Sequence, residues 1–341
     1  MYYADKLGVL KDIFGSNDIV LETNRLAVDG HIYPVIDDVI ILLDPMQYPD
    51  LLKNQLDEWQ KSIKGKPKVE PTDFAEDIQF TFGEEWKRFP DILPEHKQEF
   101  LQYFDLINLS ELRNYRVCDL GCGIGRWSFF LSDKCRELIL VDFSDAIFVA
   151  RRNLANTDNT FFFMGDLKKL PFRDEFADFL FCLGVLHHLH ASAIDEVRML
   201  KKYAPQLLVY LYYALDNRPF YYRILLSIVT KLRLKVATQR NPIFREVFTW
   251  FCTIGIYLPL LALGKALRPF RLSHYVPLYE GYQGKSINRI RQDVYDRFFT
   301  RIEQRYSKKQ IISLKDTFTK VIISDRLPYW HFICQNESFS E

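Results

Sequence analysis

Val117-Cys118-Asp119-Leu120-Gly121-Cys122-Gly123-Ile124-Gly125 is the stretch that decides the fold of this 341-residue chain. Apolar, β-capable residues run up to an aspartate, and three glycines follow at alternate positions. Arg126-Trp127-Ser128-Phe129-Phe130-Leu131 then reads as the start of a helix, so the stretch predicts a strand, a tight turn and a helix. Glycines take positive φ and let backbone N–H groups come close to a ligand. The helix N-terminus expected behind them would add free N–H groups and a positive dipole end, suited to a carboxylate or a phosphate. The spacing is G-x-G-x-G, not the G-x-G-x-x-G of a dinucleotide fold. Asp119 stands two residues before Gly121, where a carboxylate can meet an ammonium group.

Working outward, Leu138-Ile139-Leu140-Val141-Asp142 is a second apolar strand ending in an acid, 17 residues past Gly125. In a doubly wound fold that position sets a carboxylate on ribose hydroxyls. Phe161-Phe162-Phe163-Met164-Gly165-Asp166-Leu167 is a third strand, ending in Gly-Asp, and Phe176 to Leu189 supplies a fourth strand and its turn. Helices are expected over 126–135, 144–157 and 190–203, and Gln206 to Tyr213 is a fifth strand. Strand and helix alternate as a parallel sheet requires.

These four motifs, in this order, resemble the class I S-adenosylmethionine-dependent methyltransferases, with a core of the methyltransferase type 11/12 kind. The resemblance implies an α/β fold with a Rossmann-like seven-stranded sheet and S-adenosyl-L-methionine as cofactor. It assigns Asp119, Gly121, Cys122 and Gly123 to the methionine portion, Asp142 with Phe143 to ribose and adenine, Asp166 with Leu167 to the adenine edge, and Leu183 to the floor near the sulfonium. For Asp119 the alternative is that it only fixes the loop.

His187, His188 and His190 follow the fourth strand. Imidazole titrates near neutrality and suits removal of a proton from an acceptor oxygen, so His188, and after it His187, are the candidate general bases; capping and packing are the competing reading. The turn holds no Asn/Asp-Pro-Pro-Tyr/Phe motif and no Pro-Cys nucleophile, which argues against methylation of an exocyclic base or glutamine nitrogen and against cytosine-carbon methylation. Tyr212, Tyr213, Arg218 and His274 border or occupy the segment that follows and are the substrate candidates.

That segment, 216–305, separates the fifth strand from the expected final pair, Thr319 to Asp325 and Trp330 to Cys334, which a helix over 307–318 precedes. It is an insertion at the carboxyl edge of the sheet, where donor and acceptor should meet. Residues 218–272 hold 10 Lys/Arg against 1 Asp/Glu, although the whole chain has a net charge of only +1. Residues 247–264 run without a charge, near the length of a membrane span. Pro259, Gly255 and several polar groups weaken a spanning reading, leaving helices that lie on a membrane surface or admit a lipid-like substrate, or a buried lid. Nucleic acid is disfavoured, because the apolar run is too long for a solvated groove. Residues 289–305 alternate arginines with acids and read either as a solvated, self-paired face or as an anion site.

Residues 1–45 read as a small β-rich unit of two strand pairs, and Tyr33 to Leu43 is similar to the closing half of the zinc-ribbon-like domains that precede some methyltransferases. Cysteine is absent before position 118 and the six cysteines form no C-x-x-C pair, so no metal is expected and the thiols should be buried. Residues 46–110 are read as helix, linker and pre-core helices, with Lys61, Lys64, Lys66 and Lys68 basic, Pro67 and Pro71 punctuating, Phe82 and Trp86 candidates for the cofactor pocket, and an amphipathic helix over 94–109. The core proper is expected over 111–215 and resumes at 306–341. Met1-Tyr2-Tyr3-Ala4-Asp5-Lys6 has no leader layout, so the expected place is the cytoplasm, with peripheral membrane contact through 218–272 as an option. Aromatic residues make up 15% of the chain, which suits a deep pocket, a lipid-facing surface or a large aromatic core equally.

The expectation is a methyltransferase acting on a hydroxyl or carbon of a small anionic, glycan or lipid-linked acceptor. Its competitors are a non-catalytic scaffold that binds the cofactor or docks on a membrane, and an RNA methyltransferase.

Overall fold

Phe161, Phe162 and Phe163 are all buried, so the third core strand has no solvent face. Continuous apolar runs of this kind form parallel strands covered on both sides. The structure, a computed structural model, describes residues 1–49, 52–56 and 76–336. The linker expected around Lys61, Lys64, Lys66, Lys68, Pro67 and Pro71 lies outside the described residues.

In chain order the elements are α1 (Leu7–Phe14), β1 (Ile19–Glu22), β2 (Arg25–Val28), β3 (His31–Ile36), β4 (Val39–Ile41), α2 (Glu76–Arg88), α3 (Glu95–Tyr103), β5 (Arg116–Leu120), β6 (Glu137–Asp142), α4 (Ala146–Asn153), β7 (Thr160–Met164), β8 (Phe179–Leu183), α5 (Ala193–Leu200) and β9 (Gln206–Tyr210). There follow α6 (Phe220–Val236), α7 (Pro242–Cys252), α8 (Leu258–Leu267), α9 (Tyr279–Tyr282), α10 (Ile287–Phe299), α11 (Lys308–Ile312), β10 (Lys320–Ile323) and β11 (His331–Gln335). The strands form one sheet in the order β1-β2-β3-β4-β7-β6-β5-β8-β9-β11-β10. Strands β5 to β9 are parallel, and β11 and β10 close the far edge antiparallel.

Among the described residues the core strands β7-β6-β5-β8-β9-β11-β10 number seven, and the N-terminal strands β1 to β4, expected as a separate unit, extend the same sheet to eleven. The N-terminal hairpins continue the core sheet, because β4 pairs parallel with β7, Val39 opposite Phe162 and Ile41 opposite Met164. Tyr3 locks the junction: its hydroxyl donates to the Asp38 carbonyl at 2.7 Å and accepts from the Phe162 N–H at 3.0 Å. Arg116 on β5 bonds both Asp12 and Glu137, tying α1 to the centre of the sheet.

Strand alternation divides the core. Cys118, Leu120, Ile139, Val141, Phe161 and Phe163 face a layer that includes residues of α1, α5 and α11, and Val117, Leu138, Leu140, Phe162 and Phe181 face one that includes residues of α3 and α4. A buried Phe is worth roughly 2 kcal/mol in area terms, so these layers hold the strand ends, and the loops on them, in place. All six cysteines are free and buried.

The helix expected from Arg126 is reduced to a 3-10 turn, Ser128–Phe130. Its aromatics are engaged sideways with α3, Trp127 against Tyr103 at 5.0 Å and Phe130 against Phe100 at 5.5 Å, while Ser128 Oγ turns back to Asp119. Packing of three bulky, weakly helix-forming residues, Trp127, Phe129 and Phe130, has outweighed the apolar pattern.

Between β9 and β10 the insertion builds a core of its own from Val236, Cys252, Tyr257, Ile290, Val294 and Phe298, among others. Asn241 caps α7, accepting from the N–H groups of Ile243 and Phe244 ahead of Pro242 at the first turn. A π turn, Thr253–Tyr257, joins α7 to α8 just before Pro259, whose missing N–H cannot complete the regular i to i−4 ladder. Gly264 lets α8 meet α9: a Cβ there would stand 2.1 Å from the Tyr279 ring.

Candidate active site

The glycine turn after β5 is held by its neighbour strand, with the N–H groups of Gly121 and Cys122 donating to the Val141 carbonyl at 2.8 and 3.1 Å. Gly121 has φ +79°, and a Cβ on it would lie 2.4 Å from Val185 on the turn after β8. Gly123, at φ +54°, faces the Trp86 indole, 3.1 Å from where its Cβ would be. Only glycine fits both places. Asp142 ends β6 beneath this turn and is 7% exposed. One carboxylate oxygen accepts from the Gly123 N–H at 2.8 Å, and the other from the Ser144 N–H and hydroxyl at 2.9 and 2.6 Å. Burial raises its pKa against those bonds.

Asp119 is placed differently from the expectation. It lies behind the turn, accepts from Ser128 Oγ at 2.7 Å, and is absent from the lining of the cavity described below. Burial pushes its carboxyl up to about 8, with Asp142 adding to the rise and Ser128 opposing it. In this structure its carboxylate is thus bonded to the loop and not turned to the cavity, where the methionine-portion assignment would put it.

A cavity of about 1290 Å³ opens from the turn and runs under the insertion. Of the sequence candidates, Gly121, Cys122, Gly123, Asp142, Phe143, Asp166, Leu167 and Leu183 all line it, as do Phe82 and Trp86 of α2. Gln79, one turn earlier on α2, donates to the Phe143 carbonyl at 2.6 Å and so sets this helix across the cradle.

The two histidines part company. His188 lines the cavity, and its Nδ1 sits 2.7 Å from the Ile302 carbonyl. A carbonyl can only accept, so Nδ1 carries a proton and Nε2 is the nitrogen left to face the cavity side, with no hydrogen-bond partner among the described residues. His187 is fully buried off the cavity, stacked on Tyr212 at 3.9 Å. Burial, with His188 and Arg305 beside it, holds its pKa well below the usual imidazole value, and its place in the packing contradicts a base role.

Tyr212, Tyr213 and Arg218 line the cavity. Tyr212 donates to Asp296 at 2.7 Å, and Arg218 pairs with Glu280. His274 is exposed and outside the lining, placed there because α8 and its following turn carry it to the outer surface; its carbonyl accepts from Tyr222. The 289–305 run is no solvated face: Arg289, Asp293, Asp296 and Arg297 line the cavity, with Arg289 bonded to Glu99 of α3 and to Asp293.

Two residues escaped the sequence reading. Arg126, directly after Gly125, lines the cavity between Trp86 and Trp127, 5.3 and 4.3 Å from their rings. Its Nε and Nη1 are buried without a hydrogen-bond partner among the described residues, and burial with nearby Arg289 lowers its pKa. Glu85 on α2 is buried in the same wall; burial, with Asp296 adding, pushes its pKa well above the usual carboxylate range. A cation immediately behind the glycine turn, and an acid inside the aromatic run 82–89, were the available signals.

Residues 117–203 match the family model described as a methyltransferase domain. None of the curated protein sequences compared matches the chain. Among solved structures, the chain is similar to the YcgJ protein of Bacillus subtilis, with 24% identity over 39% of this chain and 58% of that one and a TM-score of 0.33. It is also similar to the PH0226 protein of Pyrococcus horikoshii OT3, with 26% identity over 37% and 64% and a TM-score of 0.31. Magnesium protoporphyrin IX methyltransferase of Synechocystis, solved with S-adenosylhomocysteine, is 16% identical over 82% and 93%, with a TM-score of 0.37.

Proposed function

We propose, from the premise that residues 117–203 form a class I S-adenosylmethionine-dependent methyltransferase domain, that this protein methylates a hydroxyl or carbon of a small acceptor. The acceptor would be an anionic, glycan or lipid-linked molecule held between the core and the insertion. One observation carries the reading: the cradle of the matched domain and His188 open into a single cavity of about 1290 Å³ that the insertion roofs.

The residues present fit the cofactor. Gly121 and Gly123 leave the turn bare, Asp142 lines the cavity below it, and the half-buried Arg126 has two buried guanidinium nitrogens, Nε and Nη1, without a hydrogen-bond partner among the described residues. An unpaired buried cation is costly and fits a carboxylate ligand; Arg126 would hold the carboxylate of the methionine portion, Asp142 the ribose, and Asp166 with Leu167 the adenine. When bound, the cofactor supplies an electrophilic methyl carbon next to the acceptor. The protein's own part is to orient the two reactants in a wall of Phe82, Trp86 and Leu183 and to receive the acceptor's proton at His188 Nε2. The Ile302 carbonyl keeps that nitrogen in the basic tautomer.

Calorimetric titration with S-adenosylmethionine and S-adenosylhomocysteine tests the donor site. Both should bind, and Asp142→Ala should weaken each by more than about tenfold, the scale of a lost charged hydrogen bond. Absence of binding to the unaltered protein overturns the reading, and unchanged binding by Asp142→Ala favours a scaffold using another surface. With an acceptor in hand, His188→Gln should cut transfer by roughly 10²–10⁴-fold while homocysteine-product binding stays as it was; an unchanged rate removes His188 as base.

A further inference from the structure

The outer face of the insertion has a polarity that folding alone does not explain. Phe220, Ile228, Ile243, Val247, Phe251 and Phe270 are each more than half exposed. The continuous helical run Pro242–Phe270 spans 29 residues, and its most apolar 18-residue window has a mean hydropathy of 1.8, yet only 28% of that window is buried. On α6 the exposed apolar residues repeat every four positions at Phe220, Ile224 and Ile228, and on α7 at Ile243, Val247 and Phe251, so each helix presents a row. Contiguous apolar exposure on this scale marks an interaction surface.

Cations accompany the rows. Arg223, Lys231, Lys235 and Arg271 are exposed and lie outside the cavity lining, and residues 218–272 carry a net +9 in a chain whose remainder is −8. A second copy would bring the same +9 segment against itself, which is repulsive. Long aliphatic and aromatic side chains interleaved with Lys and Arg fit the boundary between headgroups and acyl chains. The run does not leave the protein to span a bilayer. Its inner row is tied to α10, where Arg245 donates to the Tyr295 hydroxyl at 2.8 Å, and α10 carries the cavity-lining Arg289, Asp293, Asp296 and Arg297.

We propose that the outer face of α6, α7 and α8 docks on a bilayer surface containing anionic lipid, lying in the plane of the interface. The proposal stands independently of the methyl acceptor, since it concerns the face opposite α10 and not the cavity.

The test is flotation of the full chain with vesicles of phosphatidylcholine alone or mixed with phosphatidylglycerol, at low and high salt, with sedimentation velocity of the protein by itself. The triple variant Phe220→Ser, Val247→Ser, Phe251→Ser removes apolar contact, and Lys231→Glu, Lys235→Glu, Arg271→Glu removes charge. All six positions are exposed, so unchanged thermal melting serves as the folding control. The expected result is flotation with the mixed vesicles that falls at high salt. The charge variant should partition about a hundredfold more weakly, each cation near an anionic surface being worth about fivefold, and the apolar variant more than about tenfold more weakly. Failure to float with mixed vesicles at low salt overturns the proposal, as does flotation that survives both variants. A self-associating protein that the apolar variant renders monomeric, without flotation, assigns the face to a second copy instead. Homocysteine-product binding, measured on the same sample without vesicles, keeps this outcome separate from that of the donor site.

Discussion

The sheet and the insertion bury opposite things. Between the sheet and its covering helices Phe161, Phe163, Phe179 and Phe181 are shut away and charge is kept to the rim or paired, as with Arg116 between Asp12 and Glu137. In the insertion Arg289, Asp293, Asp296 and Arg297 turn inward to the cavity, while Phe220, Val247 and Phe251 face out. A region built this way gains less from apolar burial and leans on buried ion pairs and on its ties to α2 and α3. The contrast teaches that one chain can order its side chains in opposite ways, charges inward around a cavity in the insertion and apolar residues inward in the sheet.

The sharpest test of the contrast is a pair of truncations. Phe181→Ala on β8 should cost about 3–5 kcal/mol, whereas Phe251→Ala on α7, 65% exposed, should stay within about 0.5 kcal/mol; denaturant unfolding reads both. Comparable losses would mean that Phe251 is covered within the molecule and the contrast is false. Next in size is Arg233→Met. Arg233 and Glu303 are buried ion-pair partners 2.6 Å apart, and burial of the Glu303 carboxyl is outweighed by Arg305, Arg233 and Arg297, which hold its pKa low. Arg305 stays bonded to Glu303 at 2.7 Å, so loss of one of its two buried partners should cost roughly 2 kcal/mol, the scale of a charged hydrogen bond. Hydrogen exchange should show that loss in α6 to α10 with the sheet still protected; uniform loss of protection would make the insertion part of one cooperative unit. Smallest is Arg126→Gln, expected to weaken binding of S-adenosylhomocysteine by about tenfold with little change in melting, since the guanidinium makes no ion pair among the described residues. A large drop in melting temperature with unchanged affinity would show Arg126 to be structural.

The cradle was legible because its chemistry is local. Gly121, Gly123 and Asp142 are placed by a strand end and a turn of a few residues, and spacing along the chain is nearly spacing in space. The adjacent histidines were not separable that way. His187 and His188 share one 3-10 turn, and which of them meets the cavity depends on Tyr212 and the Ile302 carbonyl, 25 and 114 positions away from the respective ring. The helix expected at 126–131 failed for a related reason, since α3 recruited Trp127 and Phe130 into side-on contacts that an apolar count cannot foresee. His274 was chosen by its place in the insertion, and the turn after α8 carried it outward.

Periodicity, glycine spacing and charge composition by themselves determined the parallel core, the glycine turn with Asp142 beneath it, the position of the insertion and its excess of cations. Those features follow from backbone sterics and from the solvent preference of short segments. The joining of the N-terminal hairpins to β7, the retreat of Asp119 behind the turn, the unpaired Arg126 in the cavity wall and the outward rows of α6 and α7 were decided only by tertiary structure. Each depends on which distant residue arrives to pair a charge or cover an apolar face, and that is a property of the packed chain.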